Sequence, residues 1–175
     1  MSILKQLFRP NVERLAANRD TSGLLKALAH EDPAIRVNAA NALGNLKDGN
    51  AVQPLISVLS SGGDVSVQAA AAGALGKLGD AKAVEPLVAL FSSKDKSLRE
   101  HAANALGTIG GELALHTLLA DSAHPQADRR RVACSALGRS RDARAMGALV
   151  LLLGDAEGEV RRTAAESLAH VGQPE

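Results

Sequence analysis

Apolar side chains recur along this chain with a fixed period. Successive steps of 32, 31, 31 and 31 residues separate Leu43, Leu75, Leu106, Leu137 and Leu168. In the first unit, Ile35 begins a segment whose apolar residues lie at offsets 0, 4, 7, 8 and 11, which form one face of a helix. A shorter apolar segment precedes each such helix. A fixed period in this range predicts a solenoid of helical hairpins.

The pattern divides the chain into five repeats and an N-terminal segment. The predicted repeats span about residues 21–48, 51–80, 83–111, 113–142 and 143–172 of one array, 19–175. Residues 1–18 do not match the repeat. Their apolar stripe before Pro10 predicts a cap on the first repeat, with an anchor for a partner as the alternative; it consists of Ile3, Leu4, Leu7 and Phe8.

Local signals agree with helical hairpins. Asp32 and Pro33 suit the N-cap and first position of a helix. Glycines occur in two registers. Those at helix ends predict left-handed caps: Gly79, Gly110 and Gly172. Those inside a helix cost about 1 kcal/mol each relative to alanine, so they predict a close approach between neighbouring repeats: Gly44, Gly76, Gly107 and Gly138.

The repeat resembles the HEAT repeat, and more narrowly the short HEAT-like class named after phycobilisome lyase subunits. The residues that carry the resemblance are Asp32, Ile35, Arg36, Ala39, Leu43 and Gly44, with their equivalents over residues 20–172. The sequence therefore predicts an all-α fold. We expect an armadillo-type right-handed α-solenoid of five short HEAT-like hairpins with an N-terminal helical cap.

The resemblance implies that the second helix of each repeat lines a concave surface. Its outward positions, at offsets 2, 3, 6 and 10, then form a partner-binding groove: Asn38, Asn41, Asn45, Lys77, Glu100, His101, Asn104, Thr108, Arg131, Ser135, Arg139, Arg162 and Glu166. The same offsets also include Val37, Ala69, Ala70, Gly73, Val132, Thr163 and His170. A shallow surface without aromatic residues favours a protein or peptide partner over a small molecule.

Composition narrows the function classes. The chain has two phenylalanines, no tyrosine, no tryptophan and a formal net charge of +1, which favours neither nucleic acid nor anionic membranes. We find no signal-peptide pattern and no apolar run long enough to span a membrane. The sequence therefore predicts a cytoplasmic, non-catalytic HEAT-repeat scaffold that binds a protein or peptide, with no cofactor.

An enzymatic alternative comes from the same resemblance. Relatives attach bilins or bind iron, and deoxyhypusine hydroxylase places His-Glu pairs at offsets 2 and 3 of several second helices. Here only Glu100 and His101 combine an acid with a histidine, in reversed order. We therefore predict no metal site and no catalytic residue, and keep a lyase- or hydroxylase-associated subunit as the alternative. Cys134 takes the place of core alanines, which predicts a buried thiol.

Arginines suggest a third function. Four repeats have an arginine at the same position of the second helix, and the second repeat has Gln68 there. We call these arginines the ladder: Arg36, Arg99, Arg130 and Arg161. Each is predicted to pair with a loop acid of an adjacent repeat, such as Asp48, Asp80 or Asp142. Further arginines could form a C-terminal basic patch for nucleic acid: Arg129, Arg131, Arg139, Arg141, Arg144 and Arg162. Interleaved acids and the lack of stacking aromatics argue against that function.

The last repeat is unusually apolar. Leu151 takes a place that Lys26, Ser57, Ala89 and Ala120 hold in earlier repeats, although terminal repeats usually carry a polar outer face. The sequence predicts either a homodimer through Leu149, Leu151 and Leu153 or a piece of a longer array.

Overall fold

The computed structural model describes residues 10–171, which form α-helices joined by turns. The helices are α1 (Val12–Ala17), α2 (Thr21–Leu28), α3 (Pro33–Leu46), α4 (Val52–Ser60), α5 (Val65–Leu78), α6 (Val84–Phe91), α7 (Lys96–Ile109), α8 (Glu112–Ser122), α9 (Ala127–Ser140), α10 (Met146–Leu152) and α11 (Gly158–Leu168). Short 3₁₀ turns at Gly49–Ala51, Ala81–Ala83 and Ala143–Ala145 precede α4, α6 and α10. The predicted apolar stripe at Ile3, Leu4, Leu7 and Phe8 lies outside the described residues.

Consecutive helices pack as antiparallel hairpins. The pairs α2/α3, α4/α5, α6/α7, α8/α9 and α10/α11 are the five repeats, and α1 packs on α2 and α3. Successive second helices pack along their lengths, whereas successive first helices contact each other far less. Because the second helices lie closer together, the array curves toward them. The prediction of a HEAT-like α-solenoid is confirmed, with α3, α5, α7, α9 and α11 as its inner helices.

Helix boundaries follow the predicted signals. The Asp32 carboxylate accepts a hydrogen bond from the Ala34 N–H at 2.9 Å, and Pro33 is the first residue of α3. Gly79 ends α5 in the left-handed conformation, with φ +70° and ψ +14°, which confirms that predicted cap. Gly110 ends α7 with φ +71° but ψ −153°, outside the left-handed helical region, so the left-handed cap predicted there is wrong. Gly172 lies outside the described residues.

The core is a continuous row of leucines and alanines. Leu43, Leu75, Leu106 and Leu137 have no exposed side-chain surface, whereas Leu168 in the last inner helix is half-buried. Phe91 is the largest fully buried side chain. Thin helical pairs thus bury their apolar faces mainly against the neighbouring repeat.

The glycines inside the inner helices lie where those helices meet. A Cβ atom on Gly44 would lie 2.7 Å from Ala74 Cα, and one on Gly138 would lie 2.6 Å from Ser167 Cβ. On Gly107 it would meet the carbonyl group of Ala136. The prediction of close helix approach is confirmed.

Two arginines of the ladder, Arg99 and Arg130, pair with an acid of the next repeat as predicted, but the acids named for that role are wrong. Arg130 donates from Nε and Nη2 to the two carboxylate oxygens of Asp155, at 2.6 and 2.8 Å. Its Nη1 also donates to the carbonyl oxygens of His124 and Pro125. Arg99 makes a single 3.1 Å bond from Nη2 to Asp128, while its Nη1 donates to the carbonyl oxygens of Ser93 and Lys94. The guanidinium groups of Arg99 and Arg130 thus bind the turn between the two helices of one hairpin and reach an acid of the next repeat.

The acids predicted for the ladder have another role. Asp48, Asp80 and Asp142 accept backbone N–H bonds at 3.0, 2.8 and 2.9 Å and so begin the three 3₁₀ turns. Gln68 explains the interruption, because its buried amide donates to the Leu59 carbonyl oxygen at 2.8 Å. This bond takes the place of the bonds that an arginine would donate to backbone carbonyl oxygens, and it carries no charge.

The ion pairs of the ladder make the stability of the fold sensitive to acidic pH. Hydrogen bonds from Arg130 hold the pKa of Asp155 below its ordinary value despite its burial. A carboxyl group with a lowered folded-state pKa stabilises the fold above its unfolded pKa of about 3.9, and that contribution is lost as pH falls through the folded pKa. We expect Asp155→Asn to lower the urea midpoint at pH 7 and to flatten its decline below about pH 4.

The Arg144–Glu112 pair offers a matched control, because both side chains are mostly exposed. Exposed ion pairs contribute little, so Glu112→Gln should leave the urea midpoint and its pH dependence unchanged. If the urea midpoint of Asp155→Asn falls with acid as steeply as that of the parent chain, the Arg130–Asp155 pair does not cause the acid sensitivity.

Candidate partner-binding groove

The thirteen residues predicted for the groove lie on the five inner helices. They are exposed or half-buried: Asn38, Asn41 and Asn45 on α3, Lys77 on α5, Glu100, His101, Asn104 and Thr108 on α7, Arg131, Ser135 and Arg139 on α9, and Arg162 and Glu166 on α11. Two small or apolar members of the wider set, Ala69 and Val132, are buried in the core instead. Their apolar side chains turn into the contacts between inner helices.

Hydrogen bonds link the groove across repeats. Lys77 Nζ donates to Asn45 Oδ1 at 2.8 Å, and Arg139 Nε donates to Asn104 Oδ1 at 3.1 Å. Both bonds join side chains of neighbouring inner helices. They hold long, exposed side chains in defined positions along the groove.

Opposite charges meet at the start of α9. Arg131 Nη2 donates to Glu100 Oε1 at 2.5 Å and to Asp128 Oδ1 at 3.3 Å. Burial raises the pKa of Asp128, but hydrogen bonds from Lys96, Arg99 and Arg131 outweigh it and leave this pKa below its ordinary value. The groove therefore carries a compact mixed-charge cluster.

One depression in the groove lies between α7, α9 and α11. It is a depression of about 420 Å³ with a largely polar lining. Its members include predicted groove residues at offsets 3, 6 and 10: Thr108, Ser135, Arg139, Thr163, Glu166 and His170. The sequence pattern thus brought together side chains from three repeats.

A second depression, of about 410 Å³, lies at the other end of the groove. Asn38, Asn41 and Asn45 form its inner-helix side, while Val12 and Ala16 of α1 form the opposite side. The sequence predicted a cap here, or an anchor for a partner, but not that α1 forms part of the groove wall. The spacing of Val12 and Ala16, four residues apart, was the available signal.

Cys134 and His101 are engaged in the packing and hydrogen bonding of the protein itself. Cys134 is fully buried, and burial raises the pKa of its thiol to about 11, so the thiol is neutral at pH 7. His101 Nδ1 lies 2.8 Å from the Ser97 carbonyl oxygen of its own helix. Between residues 10 and 171, no three His, Cys, Asp or Glu side chains are grouped as a metal site would require.

Several arginines of the predicted basic patch are neutralised by acids. Arg129 makes two 2.7 Å bonds to Asp121. Arg144 contacts Asp142 and Glu112, and Arg162 contacts Glu159. These pairings reduce the positive charge available to phosphate groups, which nucleic-acid binding needs.

The residues predicted for self-association differ in exposure. Leu149 is fully buried in the hydrophobic core, so its inclusion was wrong, because a core side chain is not available to a second copy. Leu151 is 80% exposed and Leu153 is 42% exposed. Sequence reasoning missed two exposed neighbours, Met146 and Val150.

Within residues 10–171, the helices are too short or too polar to cross a lipid bilayer.

The family model described as HEAT repeats matches residues 21–91, 52–134 and 115–175. Among curated proteins, no sequence matches this chain significantly.

Solved structures share the fold. One is the complex of CpcE and CpcF of phycocyanin lyase from Nostoc sp. PCC7120, at 26% identity and a TM-score of 0.68, covering 88% of this chain and 65% of the other. This chain therefore spans just under two thirds of that relative's length. An engineered protein matches at 24% identity and a TM-score of 0.63, over 91% of this chain and 82% of its own.

A designed armadillo repeat protein in complex with the peptide (KR)4 matches at 21% identity and a TM-score of 0.63, over 94% of this chain and 87% of its own. This likeness shows a shared architecture.

Proposed function

Since this chain belongs to the HEAT repeat family, we propose that it is a non-catalytic scaffold that binds a protein or peptide partner through its concave groove. The observation that carries the proposal is the set of exposed or half-buried polar side chains that each inner helix, α3, α5, α7, α9 and α11, contributes to one wall. These side chains are mounted on rigid, closely packed elements.

The groove offers hydrogen-bonding side chains at its first-repeat end and again near its centre. Each asparagine amide presents two donors and one acceptor oxygen, which suits the backbone of an extended or irregular peptide. Asn38 and Asn41 are exposed at one end, and Asn104 is half-buried near the centre. The amide groups can therefore contact a partner's backbone, while charged neighbours select its side chains.

Charge changes along the groove favour a macromolecule with both signs. Lys77 and Arg139 are exposed cations, whereas Glu100 and Glu166 provide negative charge on α7 and α11. Such alternation gives specificity through matching charges more than it gives raw affinity. The relative in the phycocyanin lyase complex also assembles with another protein, which supports a protein partner.

Replacing groove side chains should abolish partner capture without unfolding the array. We expect the triple variant Glu100→Ala, Asn104→Ala and Arg139→Ala to lose the proteins that the parent chain retains from a native lysate. Its melting temperature should stay within a few degrees, because surface substitutions usually change stability by about 0.5 kcal/mol or less each. Capture is read by quantitative mass spectrometry.

A matched control replaces exposed residues of the outer helices, with Gln53→Ala, Glu85→Ala and His116→Ala combined. It should keep the same partners as the parent chain. Loss of capture in this control with retention in the groove variant would move the binding surface to the convex side and refute the proposal.

A lyase-associated subunit is the second candidate, favoured by the 26% identity to a chain of the phycocyanin lyase complex. In that case the purified chain should bind a bilin and shift its visible absorption. If the bilin spectrum stays unchanged while partner capture is intact, the lyase-associated function is refuted and the scaffold function remains.

A further inference from the structure

We propose, on the basis of the function proposed for the groove, that its partner is an extended peptide segment with acidic side chains. Two carboxylates of this segment bind Lys77 and Arg139. The segment follows the offset-10 row, which we define as the residue at offset 10 of each second helix, near the end of that helix: Asn45, Lys77, Thr108, Arg139 and His170.

The other arginines of the groove are already neutralised by acids of this chain. Arg131 contacts both Glu100 and Asp128. Arg162 contacts Glu159 at 2.6 Å. All these residues lie in the first halves of α7, α9 and α11. That side of the groove therefore has little positive charge to offer a partner.

Lys77 and Arg139 differ, because each donates to a neutral amide. Lys77 Nζ donates to Asn45 Oδ1 at 2.8 Å, and Arg139 Nε donates to Asn104 Oδ1 at 3.1 Å. In the described part of the chain, these two cations form no ion pair. Both side chains are exposed. The amides thus position two positive charges without cancelling them, and an anionic side chain complements both.

The surroundings of Arg139 favour a carboxylate. Arg139 lines the depression of about 420 Å³ together with Thr108 and Ser135. Its Nε is engaged by Asn104, and the two terminal nitrogens of a guanidinium group can donate to both oxygens of one carboxylate. Glu166 lines the same depression. Its negative charge repels a doubly charged phosphate more than a singly charged carboxylate, so we assign an aspartate or glutamate side chain to this position.

The row also sets the spacing of the acids. Lys77 lies on α5 and Arg139 on α9, two inner helices apart. Because packed helix axes lie about 8–10 Å apart, the two cations are about 16–20 Å apart. An extended peptide advances about 3.3 Å per residue and turns alternate side chains to one face, so acids about six residues apart reach both cations. Between them, Thr108 Oγ1 donates to the Asn104 carbonyl oxygen and can accept from a peptide N–H.

A random peptide library displayed on phage and selected on the immobilised full chain tests this assignment. We expect enrichment of Asp or Glu at two positions about six residues apart. The combined variant Lys77→Glu and Arg139→Glu should reverse the preference and enrich Lys or Arg there. Because both side chains are exposed, its circular dichroism should match that of the parent chain.

The variant Lys77→Gln with Arg139→Gln provides a second test if charge reversal disturbs the fold. In fluorescence polarisation, it should bind a selected acidic peptide about tenfold more weakly than the parent chain does, because each exposed ion pair changes a binding constant a few-fold. The difference should shrink as salt is added.

Lys26→Glu combined with Lys94→Glu is the matched control, because it makes the same charge change at exposed positions outside the row. It should keep the acidic preference. Selected peptides without acids, or an acidic preference that survives charge reversal at Lys77 and Arg139, would overturn this assignment and leave the groove function standing. A library that yields no binding peptide would overturn it too, and capture from a lysate decides the groove function separately.

Discussion

Replacing Gly107 by alanine is expected to destabilise the array by about 2 kcal/mol, although alanine is the better helix former. The new Cβ atom would meet the carbonyl group of Ala136, a backbone group of the next inner helix. Backbone atoms cannot rotate away as a side chain can, so α7 and α9 must separate. The separation also weakens the leucine packing beside them. Urea unfolding followed by circular dichroism measures the change.

The chain contains its own control for this substitution. Gly73 also lies inside an inner helix, but a Cβ atom there would have no neighbour within 4 Å. Gly73→Ala should therefore stabilise the chain by up to about 1 kcal/mol through helix propensity alone. If both alanine variants gain stability, the inner helices are further apart than the structure shows.

Truncating Leu75 to alanine should cost more, about 3 kcal/mol, because a buried leucine loses both its transfer energy and its packing when a cavity remains. Leu75 is fully buried in the second repeat, where neighbouring repeats pack on both sides. Since each repeat is stabilised mainly by its neighbours, the loss should lower the unfolding midpoint of the whole array.

Leu151→Ala removes the same atoms from a side chain that is 80% exposed. It should change the free energy of unfolding by about 0.5 kcal/mol or less. Equal losses for the two leucine variants would contradict the repeat register on which the core assignment depends.

The fold could be predicted from the sequence because the same packing requirement recurs in several repeats. Gly76 and Gly107 recur at one step, and each accepts the cost of a glycine inside a helix. A single such glycine carries little information, whereas a periodic set indicates a repeated close contact. Asp32 and Gly79 marked helix ends because capping depends on local geometry alone.

Features that depend on three-dimensional neighbours were harder to predict. The ladder acids were misassigned because Asp142 and Asp155 are equally acidic in sequence, and only the fold shows which one faces Arg130. Leu149 and Leu151 likewise differ only in the side of α10 that they occupy. The role of α1 in the groove could not be predicted without knowing how α1 packs on α3.

Site-specific photo-crosslinking tests the proposed groove most directly. A benzophenone-bearing residue is placed at Asn104 on the inner wall, and separately at Gln53 on the outer helix α4. After irradiation in a native lysate, we predict a discrete protein adduct from position 104 and none from position 53. Adducts formed only from position 53, or equally from both, would contradict a partner held in the concave groove.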